Sequence, residues 1–467
     1  MNQGLVAKAL WTAEDAASGA HGRLVGSDSW IATGLSIDTR SLEPGDLFIA
    51  LKDARDGHDF VADAMAKGAA AALVSRVEGD GARLQVEDVL QGLRDLAIAA
   101  RARSAAKICA ITGSVGKTSV KEALAACLAP SGPTHFAVKS FNNHIGVPLT
   151  LARMPAASRF AVIEIGMNNR GEIKPLVALT RPQVAIVTTI APVHIENLGA
   201  LENIADEKGD IYTGLTADGA ALIPAEAPHA DRLMTLARAH AATTIRFGRG
   251  ADCQARLLAF DPGPDGSTAQ ADILGRRIAY RVGAPGAQWA LNSLAVLTAA
   301  ALMGADLDAA MDAMARLDPA DGRGATASIQ ARFGAFTLVD DAYNASPISV
   351  AAALDTLAIR PVGAGGRRIA VLGDMLELGP EEAAYHAGLA EPIARNGVDL
   401  VFCAGPRMAH LYEALPGTQK GGYAKDADSL AQMVAGVLRV GDVVLVKGSN
   451  GSKMGRVVEV LRRLGAA

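Results

Sequence analysis

Aromatic side chains are scarce in this chain, at 4% of its 467 residues, and cysteine occurs only four times. The cysteines, Cys109, Cys127, Cys253 and Cys403, lie far apart and form no CxxC pair. That spacing argues against a disulfide framework or a zinc site and for reduced cytosolic thiols. Long apolar runs are missing too. The most apolar stretch, 291–303, is interrupted by Asn292, Ser293 and Thr298, and nothing approaches the ~18 uninterrupted apolar residues of a membrane helix. The opening MNQGLVAKALW has no signal-peptide core. Excess charge of one sign is also absent. A net value of -4 argues against the concentrated basic surface that broad nucleic-acid or anionic-membrane binding requires. The expectation is a cytoplasmic, monomeric protein that binds no nucleic acid and inserts into no membrane. A local basic pocket for phosphates remains compatible with this balance.

What is present is a globular composition, 50% hydrophobic and 20% charged, in a chain too long for one core. At ~150 residues per domain, about three domains are expected. Short apolar runs at 47–51 and 69–74, separated by turn formers such as EPGD, read as a small α/β unit over residues 1–85. Apolar positions recur at helical spacing over 86–104. The β-rich run 107–112, a glycine-rich turn and a helical stretch 117–128 follow. Buried-strand candidates at 160–165, 184–189 and 220–223 alternate with helical segments, which predicts a mostly parallel sheet in a P-loop-type central domain, 86–318. The turn-rich DPADGRGA (318–325) marks a second boundary. Beyond it, runs at 336–339, 368–372, 399–403 and 443–446 alternate with helices and predict a Rossmann-like C-terminal domain, 319–467. The fold class expected is α/β in all three.

The most specific motif is ITGSVGKTS (111–119), entered by a strand and left by a helix. Thr112, Gly113, Ser114, Val115, Gly116 and Ser119 would wrap backbone N–H groups around phosphate oxygens at the helix N-terminus. Lys117 would lie against the β- and γ-phosphates, and Thr118 would offer its hydroxyl to Mg²⁺. The common pattern has a further glycine where this chain has Ile111, so an unliganded glycine turn stays open as the alternative. Phosphate binding alone fits kinases, GTPases and ligases. The guanine-reading NKxD motif of GTPases is absent.

The TGSxGKT variant resembles the Mur ligase family, which includes the folylpolyglutamate synthetases. Further resemblance lies in GLSIDTRSLEPGDLFIAL (34–51), SFNNHIGVPLTL (140–151), VIEIGMNNRGEI (162–173), APVHIENLG (191–199), DDAYNASPISV (340–350) and LGDMLELG (372–379). The DNPR motif of ligases adding the third peptide residue is missing, and DDAYNASP replaces the DGAHNP usual in folate-type relatives. The resemblance implies ATP- and Mg²⁺-dependent amide synthesis through an acyl phosphate, joining UDP-MurNAc-tripeptide and D-alanyl-D-alanine. Rivals left open are another Mur-type or folate-type ligase, a nucleotide-regulated switch and a small-molecule kinase.

The same resemblance implies residue roles. Glu164, ending a strand, and His194, in a loop, would bind metal; a local hydrogen bond and a structural histidine are the alternatives. Lys208 falls on the apolar face formed by Leu201, Ile204, Ala205, Ile211, Tyr212 and Leu215, where desolvation would favour its neutral amine. The family implies that this amine is carboxylated and binds a second Mg²⁺; a snorkelling lysine is the bland reading. Ser36, Thr39 and Arg40 would hold the uridine diphosphate, unless Arg40 pairs with Asp38 or Glu43. Asn142 and Asn143 would lie near substrate and phosphates, although loop asparagines usually form turns. Asn292 would sit near adenine, and the histidine that often precedes this segment is replaced by Gln288 and Trp289 nearby. Arg323 would reach the γ-phosphate, or else be a surface arginine in a linker. Asp341 would approach the ribose, with Tyr343 and Asn344 near the reacting amine. Lys447 and Ser449 would line the same cleft, though a strand-end turn explains KGS as well.

Overall fold

In a computed structural model of the chain, which describes residues 9–138, 140–193 and 195–465, three α/β domains each carry their own sheet. The first sheet has five strands in the order Arg23–Val25, Arg83–Gln85, Ala71–Val74, Asp46–Ile49, Gly34–Ser36. Its first pair is antiparallel and the rest are parallel. A separate ladder pairs Trp11–Thr12 with Ile31–Ala32.

The central sheet has nine strands. Lys107–Thr112 lies between Phe160–Glu164 and Val184–Val187, all parallel, with Glu164 opposite Ile111 and Val187 opposite Thr112. That register brings the carboxyl ends of three strands to one edge, where ligands of open α/β sheets bind. These strands are buried on both faces, as parallel strands covered by helices must be. One face packs on Val120, Leu124, Leu294 and Leu297, the other on Val147, Leu176, Ile204 and Tyr212. Beyond Thr243–Gly248 the sheet continues through Ala255–Gly263, and the next two strands, Gly266–Ile273 and Arg276–Val282, are antiparallel. The third sheet runs Ala325–Ala331, Gly334–Asp341, Val443–Lys447, Arg368–Gly373, Leu400–Ala404, Lys420–Ala424, parallel except for its first pair.

The helix Val89–Arg103 starts where Asp88 accepts the N–H of Gln91 and carries arginines in its last turn. Its buried stripe serves two cores: Leu93, Leu96 and Ala100 pack in the first domain and Ala97 in the central one. Further ties join these domains. Trp11 Nε1 donates to the carbonyl of Ala152 at 2.9 Å, and the Arg103 guanidinium stacks 3.7 Å from the Trp11 ring. Arg153 donates from Nε to the carbonyl of Leu35 at 2.9 Å. Among the described residues no helix is long and apolar enough to cross a membrane.

Candidate active site

A cleft of about 450 Å³ opens between the central and C-terminal domains, with the phosphate loop as its floor. The loop's shape is set by two glycines. Gly113 has φ +148°, and a Cβ there would meet Thr188 Oγ1 at 1.9 Å. Gly116 has φ +88°, and a Cβ there would press on Asn292 Oδ1 at 3.2 Å. The backbone can therefore approach a ligand only where side chains are absent. Neighbouring strands pin the loop. Ser114 Oγ donates to the carbonyl of Ala191 at 3.0 Å and accepts its N–H at 2.9 Å, while Thr188 Oγ1 donates to the carbonyl of Val115 at 2.5 Å. The helix Lys117–Leu128 begins at Gly116 with no side-chain cap, which leaves its dipole and first-turn N–H groups suited to an anion.

Ser114, Val115, Gly116, Lys117, Thr118 and Ser119 line the cleft. Thr112 and Gly113 do not. Thr112 is fully buried at the end of the strand that enters the loop, and its hydroxyl has no hydrogen-bond partner among the described residues. Lys117 Nζ donates to the carbonyl of Gly113 at 2.8 Å. Burial holds this ammonium below the ordinary lysine pKa, with Glu164 opposing and Arg323 adding to the shift.

Glu164 is the hub of the floor. It is 4% exposed, accepts from Thr118 Oγ1 at 2.8 Å through Oε2 and from Asn142 Nδ2 at 2.8 Å through Oε1. Its hydroxyl partner, Thr118, is the one expected at the metal, so the two candidate ligands lie side by side. Lys121, which the sequence reading passed over, lies 3.9 Å from Glu164 Oε2 and donates to the carbonyl of Ala137 at 2.7 Å. Its position one turn after Lys117 on the same helix was the available signal. Burial lowers its pKa while Glu164 and Glu122 raise it. Asn143 departs from expectation. Its Oδ1 accepts the N–H groups of Gly146 and Ile145 at 2.8 and 3.2 Å, in the turn that leads into the helix Gly146–Ala152. The turn-forming alternative therefore describes it, and only Asn142 faces the cleft.

Lys208 is 1% exposed on the helix Leu201–Gly209, among fully buried Ile204, Ala205, Ile211 and Tyr212. Burial, joined by nearby Lys117, depresses its pKa well below the usual lysine value, against the opposing pull of Glu207. Glu207 itself accepts the N–H groups of Gly171 and Ile173 at 2.6 and 2.9 Å. Lys208 lies outside the cleft lining. His194 lies outside the described residues, and among the described residues no three His, Cys, Asp or Glu side chains gather as a metal cluster. The Thr118–Glu164 oxygen pair is nevertheless of the hard-donor type that Mg²⁺ takes together with phosphates.

The opposite wall comes from the C-terminal domain. Lys447 Nζ donates to Asp341 Oδ2 at 2.7 Å and to the carbonyl of Asn344 at 2.9 Å. Burial raises the Asp341 pKa, and Lys447 counteracts it. Ser449 Oγ donates to the carbonyl of Ala345 at 3.3 Å. Arg323 stacks 4.0 Å from the Tyr343 ring and donates from Nη2 to Ser140 Oγ at 3.2 Å, so it spans the two domains. Asp341, Tyr343, Asn344, Lys447, Ser449 and Asn292 all line the cleft.

The first-domain residues do not. Ser36 is 2% exposed and turns its hydroxyl to the carbonyl of Asp38 at 3.0 Å, which removes it as a ready ligand contact. Arg40 forks onto Asp38 at 2.9 and 2.6 Å, the salt-bridge alternative, while its guanidinium remains exposed. The Thr39 carbonyl accepts from Lys67 at 3.0 Å.

Comparison with known proteins fits this geometry. Residues 32–106 match the family described as Mur ligase family, catalytic domain; residues 111–300 match the Mur ligase middle domain; residues 328–450 match the Mur ligase, glutamate ligase domain. The chain is 36% identical to the UDP-N-acetylmuramoyl-tripeptide–D-alanyl-D-alanine ligase of Escherichia coli strain K12, over 95% of this chain and 97% of that one. It is 33% identical to the Bacillus subtilis strain 168 enzyme of the same name, over 92% and 93%. A crystal structure of MurF from Acinetobacter baumannii superposes with a TM-score of 0.84 at 26% identity, over 97% of this chain and 99% of that one.

Replacing Lys117 by methionine keeps the stem and removes the charge. Affinity for ATP should then fall at least about tenfold, the scale of a lost charge-assisted contact. Calorimetric titration measures it, and an unchanged affinity would remove Lys117 from the phosphate site.

Proposed function

The chain belongs to the Mur ligase family, and from that premise we propose that it joins D-alanyl-D-alanine to UDP-MurNAc-tripeptide at the expense of ATP. The observation that carries this reading is the convergence on one cleft of the Lys117 loop, the Glu164 hub and the Arg323–Tyr343–Asn344–Lys447 wall. In this reading residues 1–85 hold the sugar nucleotide through Thr39 and Arg40, residues 86–318 hold ATP, and residues 319–467 present the acceptor.

A carboxylate resists attack by an amine because its charge deactivates the carbonyl and oxide does not leave. In the first step a carboxylate oxygen of the tripeptide attacks the γ-phosphorus of ATP and ADP departs. In the second, the neutral amine of D-alanyl-D-alanine attacks the acyl carbon, phosphate leaves with the transferred oxygen, and the proton shed by the nitrogen ends on the departing phosphate. Lys117 and Arg323 stabilise charge on the phosphoryl oxygens during the first step. Tyr343 and Asn344 orient the amine, and Asn292 lies beside Gly116 where the nucleotide enters. Thr118 and Glu164, with His194, would hold Mg²⁺, which supplies charge neutralisation between phosphates and carboxylate. Lys208, whose pKa burial lowers well below the usual lysine value, is suited to form a carbamate with CO₂ and so add an anionic metal ligand. Closure of the C-terminal domain excludes the water that would hydrolyse an acyl phosphate.

Coupled ADP release should require both UDP-MurNAc-tripeptide and D-alanyl-D-alanine and yield a product of the summed mass less water. A single amino acid that serves equally well as acceptor would sink the assignment. For the carbamate, Lys208→Ala should be inactive and regain activity with high bicarbonate and a short carboxylic acid; inactivity that these cannot restore contradicts the role.

A further inference from the structure

His386 takes no part in the chemistry above, yet its ring is fully buried in the C-terminal domain, on the helix Glu382–Ala387. Both nitrogens are engaged. Nδ1 lies 2.6 Å from the carbonyl oxygen of Glu382, and Nε2 lies 3.0 Å from the N–H of Met375. A carbonyl can only accept and a peptide N–H can only donate. The partners therefore dictate a neutral ring with its proton on Nδ1.

The residue that His386 holds begins a loop crossing the cleft. Leu376 and Glu377 line that cleft. The N–H of Leu376 donates to Ser449 Oγ at 3.0 Å, and the N–H of Ser449 donates to the carbonyl of Asp374 at 3.1 Å. Ser449 in turn reaches Ala345, while Lys447 two residues earlier grips Asn344 and Asp341. Glu377 sits at φ +63°, a conformation that persists only where surroundings over-determine it. At the far end, a Cβ on Gly379 would touch Ile195 and Glu196 of the central domain at 3.7 Å. The loop thus connects the acceptor wall to the central domain, and at its near end the imidazole holds Met375 between the bonds that Ser449 makes to Asp374 and Leu376.

We propose that His386 is a positioning residue for the ligation: its Nδ1–H tautomer fixes the 374–379 loop, so that Ser449 and Lys447 hold the acceptor side of the cleft in register. This rests on the ligase reading for what occupies that side. Protonation of Nε2 turns an acceptor into a donor facing the Met375 N–H and breaks the anchor. Burial is the leading influence on the ring and lowers its pKa. The hydrogen bond to the Glu382 carbonyl and then the carboxylates of Asp374 and Glu382 pull upward, and Arg407 pushes down. The sign follows from a depressed folded pKa. The anchor is intact at and above the ordinary imidazole value of 6.5 and is lost only as pH falls further, through the lowered value of the folded ring.

The test compares full-length wild type, His386→Leu and His386→Gln. Glutamine offers an oxygen acceptor near the Nε2 position and does not titrate. Leucine should raise KM for D-alanyl-D-alanine about tenfold, the scale of a buried N–H left unpaired, with the dissociation constant for ATP unchanged. Glutamine should restore the wild-type KM at neutral pH and lack the acid-side loss of acceptor affinity that wild type shows. Equal weakening of ATP and acceptor by leucine, or an acid limb unchanged in the glutamine variant, overturns the proposal. Should the leucine variant fail to fold, ring nitrogen-15 shifts of wild type decide: a bare Nε2 is expected, and a protonated Nε2 at neutral pH overturns it. Wild type inactive with both substrates would sink the ligase reading instead, and the ring shifts would still judge His386.

Discussion

The problem this structure has to solve is electrostatic: a carboxylate must touch a triphosphate. A single pair of like unit charges ~4 Å apart costs about 4 kcal/mol at an effective dielectric of ~20, and the encounter contains several such pairs. Compensating cations must stand in place before the substrates arrive. Lys117, Lys121 and Arg323 converge near the loop, where burial first and the Arg323 charge second lower the proton affinity of both lysines. Without substrate their company is tolerable because Glu164 sits among them and backbone carbonyls accept from both lysines. The carboxylate hub thus offsets the repulsion among the cations and fixes the side chains of Thr118 and Asn142 at the cleft.

The rest of the fold serves this arrangement. Parallel strands in register bring Thr112, Glu164 and Val187 to one edge, so residues distant in sequence meet at the loop. Thr188 occupies the space that any side chain at position 113 would need, which ties the glycine to the neighbouring strand rather than to the ligand alone. Arg323 is the element shared with the third domain. Stacked on Tyr343 and bonded to Ser140, it makes the position of that domain part of the charge balance.

Much of this was legible from residue order. Strands at Lys107–Thr112 and Phe160–Glu164 and the helix Lys117–Leu128 announce themselves through unbroken apolar runs and glycine punctuation. Lys208 was readable because a cation on an otherwise apolar helical face has nowhere to go but inward. The antiparallel strand Gly266–Ile273 was not read, since its inward positions include alanines, Ala269 and Ala271, whose alternation with polar residues is weak; its neighbour Arg276–Val282 was missed although Ile278, Tyr280 and Val282 alternate clearly. Asn143 and Ser36 were assigned to ligands by resemblance, while the local backbone claims both side chains. Lys121 escaped notice because a lysine late in the first helical turns looks like a solvated face until the strand opposite it is known.

The central claim is that the cleft activates an acid by phosphorylating it. The most direct measurement supplies UDP-MurNAc-tripeptide whose terminal carboxylate carries oxygen-18 and follows the label by phosphorus NMR during turnover. Transfer of a labelled oxygen from the peptide into the released phosphate is the predicted result. Phosphate that forms with ordinary oxygen only, while the amide product accumulates, would contradict the account.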